Sequence, residues 1–330
     1  MRPVLVAPMA GGPSIPALVI AAGRAGAVGF LAAGYKTPDA VEDELRTVQG
    51  AGSPYGLNIF VPMPAPPDLA ALERYRDRLR VEADRYEVEL PPLRLDDDDH
   101  FAAKVELAAS YAVPLVSFAF GVPPADTVRA LRAAGCAVLI TVTSADEARR
   151  AVAVDPDGLI AQGGSAGAHS STTDPARYDG SSSTASVLGE VRAVTDLPVV
   201  AAGGTASAAD VAALLTAGAV AVQCGTAFLL ADEAATRPAH RSALLSGDHG
   251  ETVVTRAFTG QPARALRNRF VDEYTAVAPI GYPAVHHLTA PIRAAAAQRG
   301  DAGALNLWAG TGYAGARPGP VADLVQHLLP

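Results

Sequence analysis

The sequence predicts an α/β fold in which eight parallel strands and their helices close into a (β/α)8 TIM barrel, with a small helical lid domain inserted after strand 8. Short aliphatic runs alternate eight times with stretches that are mostly Ala-rich and amphipathic. The runs are apolar without the two-residue alternation of a half-exposed sheet, which is typical of buried parallel strands. An open doubly wound sheet would share the pattern, but eight repeats favour closure.

The order of these runs places the elements along the chain. Strands are predicted at residues 4–9, 27–33, 55–61, 115–121, 137–143, 158–163, 198–202 and 219–225. Helices are predicted at residues 15–25, 37–49, 102–112, 125–134, 144–152, 184–195 and 207–217. Thr37 followed by Pro38 is typical of a helix start, and Ser144 with Glu147 has the form of a capping box. Three helices end before a glycine that can adopt the left-handed conformation: Gly26, Gly135 and Gly218.

Two segments do not fit the repeat. Residues 62–100 follow strand 3 and combine a proline-rich start, a charged helix and the acidic run 96–99, which we interpret as a solvated turn or helix start. Residues 231–299 follow strand 8 and are expected to form a small helical lid or substrate domain. Residues 1–230 and 300–330 would then form the barrel domain, with 62–100 as a helical insertion. Four arginines are expected to hold the lid through carboxylates or helix ends, although one of them could meet an anionic substrate: Arg256, Arg264, Arg267 and Arg269.

Composition excludes several classes of protein. The 330 residues are 49% hydrophobic and 18% charged, which fits one large or two smaller globular domains. The net charge of −8 and the absence of a Lys/Arg block argue against nucleic-acid binding. No apolar stretch is long enough to span a membrane, so we expect a cytoplasmic protein. Cys136 and Cys224 are too few for a disulfide framework, and we expect small buried thiols in a reducing compartment.

Glycine-rich loops follow the last two predicted strands. Gly203, Gly204 and Thr205 come after strand 7, and Gly225 with Thr226 comes after strand 8. In a (β/α)8 barrel these loops commonly bind a phosphate, because free backbone N–H groups and a helix N-terminus favour an anion. The glycines could instead merely form tight turns, an alternative that the sequence leaves open.

The other strand ends supply amides, small residues and one histidine. Asn58 and Gln162 contribute amides, and the small residues 163–168 lead from strand 6 to His169. A lone histidine in a loop is by itself weak evidence for catalysis. The mouth has no carboxylate pair and no metal-ligand cluster, which argues against glycosidase and metallohydrolase chemistry. An amide-lined mouth beside a phosphate site suits flavin mononucleotide (FMN), and no metal is expected.

Motifs over nearly the whole chain resemble the nitronate monooxygenase family, formerly called 2-nitropropane dioxygenases. They lie at residues 8–12, 56–60, 117–121, 162–169, 201–204, 223–226, 255–264 and 307–310. The resemblance implies an FMN-dependent barrel that oxidises alkyl nitronates with O2, with His169 as the active-site base or polarising group. It also implies cofactor contacts at Pro8, Met9, Ala10, Asn58, Gln162, Gly167, Ala202, Gly203, Gly204, Gln223, Gly225 and Thr226.

This chain departs from the family pattern at positions that concern the substrate. Ser165 replaces an acidic residue, Ala168 replaces a glycine, and Ala119 stands where nitronate-oxidising members commonly have histidine. Two alternatives therefore stay open: an NAD(P)H-dependent flavin reductase for a quinone or enoyl thioester, and a barrel that binds FMN or phosphate without catalysis. Expected partners are a small oxidisable molecule and O2, and a homodimer is possible.

Two aromatic segments outside these motifs leave a choice of roles. Tyr313 precedes the closing helix and could either reach the mouth or pack as a buried aromatic residue. His286 and His287 lie in the predicted lid, where surface or lid-packing roles are favoured over a role in the site.

Overall fold

Eight parallel strands close into a barrel within residues 2–330, the part of the chain described by a computed structural model. Met1, the first residue of the predicted barrel domain, lies outside the described residues. The barrel strands are β1 (Val4–Val6), β2 (Val28–Ala32), β3 (Tyr55–Phe60), β4 (Leu115–Ala119), β5 (Ala137–Val142), β6 (Gly158–Gln162), β8 (Val199–Ala202) and β9 (Ala221–Cys224). Pairing of β9 with β1, in which Gln223 is opposite Leu5, closes the sheet. The predicted TIM barrel is confirmed, and the open sheet is wrong.

Helices connect the barrel strands and form the outer layer and the lid. They are α1 (Pro16–Arg24), α2 (Pro38–Gly50), α3 (Leu69–Arg78), α4 (Arg80–Tyr86), α5 (Phe101–Ser110), α6 (Ala125–Ala133), α7 (Ala145–Val152), α8 (Thr184–Arg192), α9 (Ala208–Thr216), α10 (Pro238–Ser246), α11 (Arg269–Tyr274), α12 (Ala284–Gln298) and α13 (Val321–Leu328). As expected, α13 closes the outer ring by packing between α1 and α9. No helix in the described range is long and apolar enough to cross a membrane.

Side-chain caps fix several helix starts, with one difference from the sequence pattern. Thr37 accepts a hydrogen bond from the amide of Ala40 and begins α2 as expected. Ser144 caps α7, but the Glu147 carboxylate does not return a bond to it. It accepts instead from the amides of Thr143 and Thr173, at 2.6 and 2.7 Å. The carboxylate therefore ties two loops at the barrel mouth together rather than completing a capping box.

The barrel interior is filled by side chains that alternate along the strands. Leu5, Phe30, Leu139 and Ile160 form a buried cluster inside the sheet. Gly56 makes room for this cluster, because a Cβ there would lie 2.3 Å from the Phe30 ring. The interior is thus a packed core, and the open end of the barrel lies above it.

The segment predicted as a purely helical lid contains a sheet, and that part of the prediction is wrong. Strands β10 (Thr252–Thr255) and β11 (Ala263–Leu266) form an antiparallel hairpin, and β11 also pairs with the two-residue strand β7 (Ala168–His169). The Thr-Val-Val-Thr sequence of β10 is rich in β-branched residues, which favour an extended backbone. Four residues are too few to stand out beside the basic residues that follow.

A second hydrophobic core joins parts of the chain that the sequence assigned to different units. Tyr75 from the 62–100 insertion, Phe258 and Phe270 from the lid segment, and Leu307 from the C-terminal segment belong to one buried cluster. The Tyr75 hydroxyl donates to the carbonyl of Ala257 at 2.6 Å. The insertion therefore packs with the lid, while the division of the chain at residues 231 and 299 stays a prediction.

The acidic run 96–99 lies just before α5, the helix start that was one of the two expectations, but Asp97 and Asp99 are half-buried rather than fully solvated. Asp99 forms an ion pair with the fully buried Lys104 at 2.8 Å, and its other oxygen accepts from the amide of Tyr35 at 2.9 Å. Asp97 contacts the Nε2 atom of His287 on α12 at 2.7 Å. These carboxylates connect the insertion to the loop after β2 and to the lid. Asp99 also supplies the opposite charge that burial of Lys104 requires.

We expect Gly29→Ala to destabilise the barrel by about 1–3 kcal/mol. A Cβ at Gly29 would lie 2.8 Å from the Val19 Cα atom, so α1 would have to move away from β2. The free energy of unfolding from urea titration measures the effect. Gly189→Ala is the matched control, since Gly189 lies within α8 with no atom near its added Cβ. This control should stabilise by about 0.5–1 kcal/mol, and equal destabilisation by both variants would contradict the account.

Candidate functional site

A cavity of about 390 Å³ lies at the carboxyl ends of the barrel strands, between the barrel and residues 231–299, the segment predicted as a lid. Every residue predicted for the site contributes to its lining. These residues are Pro8, Met9, Ala10, Asn58, Gln162, Gly167, His169, Ala202, Gly203, Gly204, Gln223, Gly225 and Thr226. Sequence positions far apart in the chain therefore converge on one site, as strand-end reasoning predicts.

His169 is held by the lid as well as by the barrel. Strand β6 ends at Gln162, and His169 then lies in β7, opposite Ala263 of the lid hairpin. The Nε2 atom of His169 is 2.9 Å from the Thr259 hydroxyl, while its backbone carbonyl accepts from the Gln162 side-chain amide at 3.0 Å. The Nδ1 atom has no hydrogen-bond partner among the described residues. The ring is thus fixed at one nitrogen and free at the other.

The imidazole of His169 is neutral at physiological pH. Burial, followed by the positive charge of Arg293, lowers the pKa of His169 to about 3. Aromatic rings surround it, with the Trp308, Phe120 and Tyr282 ring centroids 5.4, 5.5 and 6.0 Å away. The apolar surroundings favour an uncharged ring, which can accept a hydrogen bond or a proton at Nδ1.

The loop between Gln162 and His169 is small-residue-rich mainly because protein packs against it. A Cβ on Gly164 would lie 2.2 Å from the Gly180 carbonyl oxygen. Arg264 fixes both segments, since its Nε donates to the Gly164 carbonyl at 2.6 Å and its Nη2 donates to the Gly180 carbonyl at 3.1 Å. Ala168 has φ +63°, a left-handed conformation that costs an alanine about 1–2 kcal/mol. The sheet pairing of β7 with β11 holds it there.

The loops after β8 and β9 present unpaired backbone donors to the cavity. The amides of Gly204, Thr205, Gly225 and Thr226 form no hydrogen bond with any of residues 2–330, and all four residues line the cavity. The positive φ of Gly204, +70°, is a conformation that glycine adopts without strain. Unpaired donors from two neighbouring loops form a cradle for an anion.

The start of α9 contributes less to this cradle than the sequence suggests. The Asp210 carboxylate accepts from the amides of Ala206 and Ser207 at 3.0 and 2.9 Å, in a complete capping box. These donors are already satisfied by a negative charge. An anion in the cavity would therefore be held by the loop amides rather than by the first turn of α9.

Side-chain amides around the cavity differ in whether they have hydrogen-bonding atoms without a partner. Both ends of Gln162 are occupied, because its Oε1 accepts from the Ser171 amide at 2.7 Å. Asn58 donates from Nδ2 to Ser117, at 2.9 Å to the hydroxyl. The buried Nε2 atom of Gln223 has no partner among the described residues. Gln223 is thus the amide with a donor that a bound molecule would satisfy.

Several cavity residues were missed by sequence reasoning. Tyr35, within the loop after β2, stacks on His286 with ring centroids 4.1 Å apart. His286 and Arg293 project from α12 and line the cavity, so His286 borders the cavity as well as packing against Tyr35. Trp308 lies in the C-terminal segment. Tyr35 follows a barrel strand, and this position alone could have predicted it as a cavity residue. The sequence pattern of α12, by contrast, does not show which of its faces lies at the mouth.

Other candidates have structural roles. Tyr313 is buried, donates to the Gly250 carbonyl at 2.6 Å and is not among the cavity-lining residues, so it packs instead of reaching the mouth. Arg267 pairs with Asp272 at 2.5 Å and Arg269 with Glu82 at 2.7 Å, as expected for arginines that hold the lid. Three or more His, Cys, Asp or Glu side chains suitable for a metal ion do not come together anywhere in the described range.

Comparisons with known proteins agree on one family. The family model described as nitronate monooxygenase matches residues 1–330. A nitronate monooxygenase from Pseudomonas aeruginosa is 36% identical, over 99% of this chain and 95% of the relative. A structure of nitroalkane oxidase from Streptomyces ansochromogenes is 46% identical with a TM-score of 0.96, over 99% of this chain and 94% of that one. The FabK structure from Thermotoga maritima, at 24% identity and TM-score 0.73, shares the fold.

We expect the free energy of unfolding to fall as pH is lowered from about 6.5. Burial lowers the pKa of His240 to about 4 and that of His286 well below its ordinary value, as it does for His169. Below pH 6.5 these histidines bind protons in the unfolded chain but not in the folded protein, so acid favours unfolding until their folded pKa values are reached. Urea titrations between pH 7.5 and 4.5 measure the loss. His240→Gln should reduce the slope more than His100→Asn, a change at an exposed histidine; equal slopes would contradict this assignment.

Proposed function

The chain belongs to the nitronate monooxygenase family, and from that membership we propose that it is a flavin-dependent oxidoreductase that oxidises alkyl nitronates with O2. The observation that carries the proposal is a single cavity with an anion cradle at one side and a neutral, partly hydrogen-bonded histidine at another. A phosphorylated planar cofactor and a small substrate need these two features together.

FMN is the flavin that the cradle favours. Its phosphate would be held by the unpaired amides of Gly204, Thr205, Gly225 and Thr226. The free Nε2 donor of Gln223 would meet a carbonyl or nitrogen acceptor of the ring. When bound, the flavin supplies the two-electron chemistry that connects substrate oxidation to O2. The residues predicted as cofactor contacts all border the cavity in which this group would lie.

His169 would act on the substrate through Nδ1. The Thr259 hydroxyl is 3.3 Å from the Gln261 carbonyl and can donate to it, which leaves the hydroxyl oxygen to accept from His169 Nε2–H. In that tautomer, Nδ1 carries a lone pair that can accept the α proton of a neutral nitroalkane and so form the nitronate, whereas a nitronate already lacks that proton. Burial keeps the imidazole uncharged, so His169 does not attract the anionic nitro oxygens of a nitronate.

The alkyl part of the substrate would lie against an apolar wall. Phe60, Phe120 and Tyr282 form a buried cluster that Ala119 packs against, and Phe60, Ala119 and Phe120 line the cavity. A methyl group at Ala119 adds apolar surface instead of a hydrogen-bonding group. The departure from the family pattern therefore favours nitronates with an unsubstituted alkyl chain over those with a polar chain.

We expect the purified protein to bind FMN more tightly than riboflavin by roughly 10- to 100-fold, since only FMN brings a charged acceptor to the loop amides. Gly204→Ala should reduce this ratio, because its Cβ would lie 2.7 Å from the Ser165 Cβ and the loop would shift. Flavin fluorescence titration measures both affinities, with Gly189→Ala as the control. A protein that takes up neither flavin would exclude the enzymatic proposal.

We expect His169→Ala to retain flavin and to lose about 100-fold or more of its turnover with nitroethane, whose α proton the imidazole would accept. Oxygen consumption measures turnover, and the flavin spectrum reports cofactor content. His100→Asn is the control at an exposed position. Unchanged turnover in His169→Ala would remove this residue from the mechanism. Anaerobic mixing of the wild-type flavoprotein with nitronate and, separately, with NADPH tests the reaction class, since bleaching by NADPH alone would favour a reductase.

A further inference from the structure

We propose that the guanidinium of Arg293 is the binding site for the nitro-group oxygens of the anionic substrate, an inference that rests on the proposed oxidation of nitronates. Arg293 lies on α12, lines the cavity and is 7% exposed. The sequence alone shows nothing unusual about it, because its significance comes from what surrounds it in the folded chain.

The guanidinium is fixed by one side and free at the other. Its Nε donates to the Thr289 hydroxyl at 3.1 Å, and its Nη2 donates to the His286 carbonyl at 2.9 Å. Within residues 2–330, Nη1 has no hydrogen-bond partner and Arg293 forms no salt bridge. A buried cation normally has a carboxylate beside it, as Lys104 has here, so an unpaired guanidinium in a cavity indicates that an anion completes it.

The groups around Arg293 leave its charge uncompensated. His286, whose Nδ1 atom is 3.3 Å from Nη2, and His169 are both kept neutral by burial. Arg237 is an exposed residue at the rim of the same cavity and has the same sign. The mouth is therefore positive although the whole chain has a net charge of −8. Such a local field favours entry of small anions.

A nitronate fits this site better than the neutral nitroalkane from which it forms. Deprotonation at carbon places negative charge on the two nitro oxygens, which are the acceptors that an N–H donor of arginine binds most strongly. His169 borders the same space and would meet the adjacent carbon end of the molecule. Arg293 thus distinguishes the two protonation states of one compound by binding the anion more strongly.

Inorganic nitrate tests this assignment without chemistry, because it is a planar anion with the same N–O acceptors and is not oxidised. We expect nitrate to bind the wild-type flavoprotein in calorimetry and to compete with ethyl nitronate. Arg293→Met should weaken nitrate binding and raise the KM for ethyl nitronate by roughly 10- to 100-fold. The KM for neutral nitroethane should change by about threefold or less. Arg293→Lys, which keeps the charge, should recover part of the nitrate affinity.

Arg237→Met is the matched control for a general field at the mouth. It should change nitrate affinity by about threefold or less, since an exposed charge is screened by solvent and salt. An equal loss in Arg237→Met and Arg293→Met would overturn the assignment, as would a wild-type protein that is not inhibited by nitrate. Loss of nitrate binding in Arg293→Met without nitronate turnover in the wild type would keep the anion site and reject the proposed reaction. Nitronate turnover in the wild type, together with unaltered nitrate affinity in Arg293→Met, would keep the proposed reaction and reject the anion site.

Discussion

Pairing between the two-residue strand β7 and the lid strand β11 is the contact on which the geometry of the mouth depends. It sets His169 opposite Ala263 and holds Ala168 at a positive φ that an alanine does not prefer. Arg264 supports the pairing from the side through carbonyls of Gly164 and Gly180. The barrel thus supplies the floor of the site, while the lid determines where its histidine lies.

The charge of the mouth depends on two facts: the carboxylates near it are bound to other groups, and hydrogen-bond donors line the cavity. Carboxylates are used elsewhere, since Glu147 ties loops, Asp99 pairs with Lys104 and Asp210 caps α9. What remains facing the cavity is a set of backbone donors, neutral imidazoles and one buried guanidinium. Among the described residues no carboxylate lines the cavity, so the protein would not repel an anion bound there.

The sequence predicts the barrel and its strand ends well, because parallel strands that are buried on both faces give unbroken apolar runs. The residues predicted for the site, from Pro8 to Thr226, line the cavity at those strand ends. Prediction from the sequence fails where tertiary packing determines the structure. Strand β10 is too short to be recognised from its sequence pattern, and the side of α12 that faces the cavity depends on how that helix packs against the insertion. The unpaired state of Arg293 is visible only when all of its neighbours are known.

The position of Trp308 gives the molecule a built-in optical reporter. The chain has one tryptophan, and its ring lies in the cavity wall 5.4 Å from that of His169. Its emission comes from the mouth alone, without a background of other indoles. A flavin bound in this cavity would quench the emission by energy transfer, so loading of the cofactor can be followed by fluorescence in the unlabelled protein.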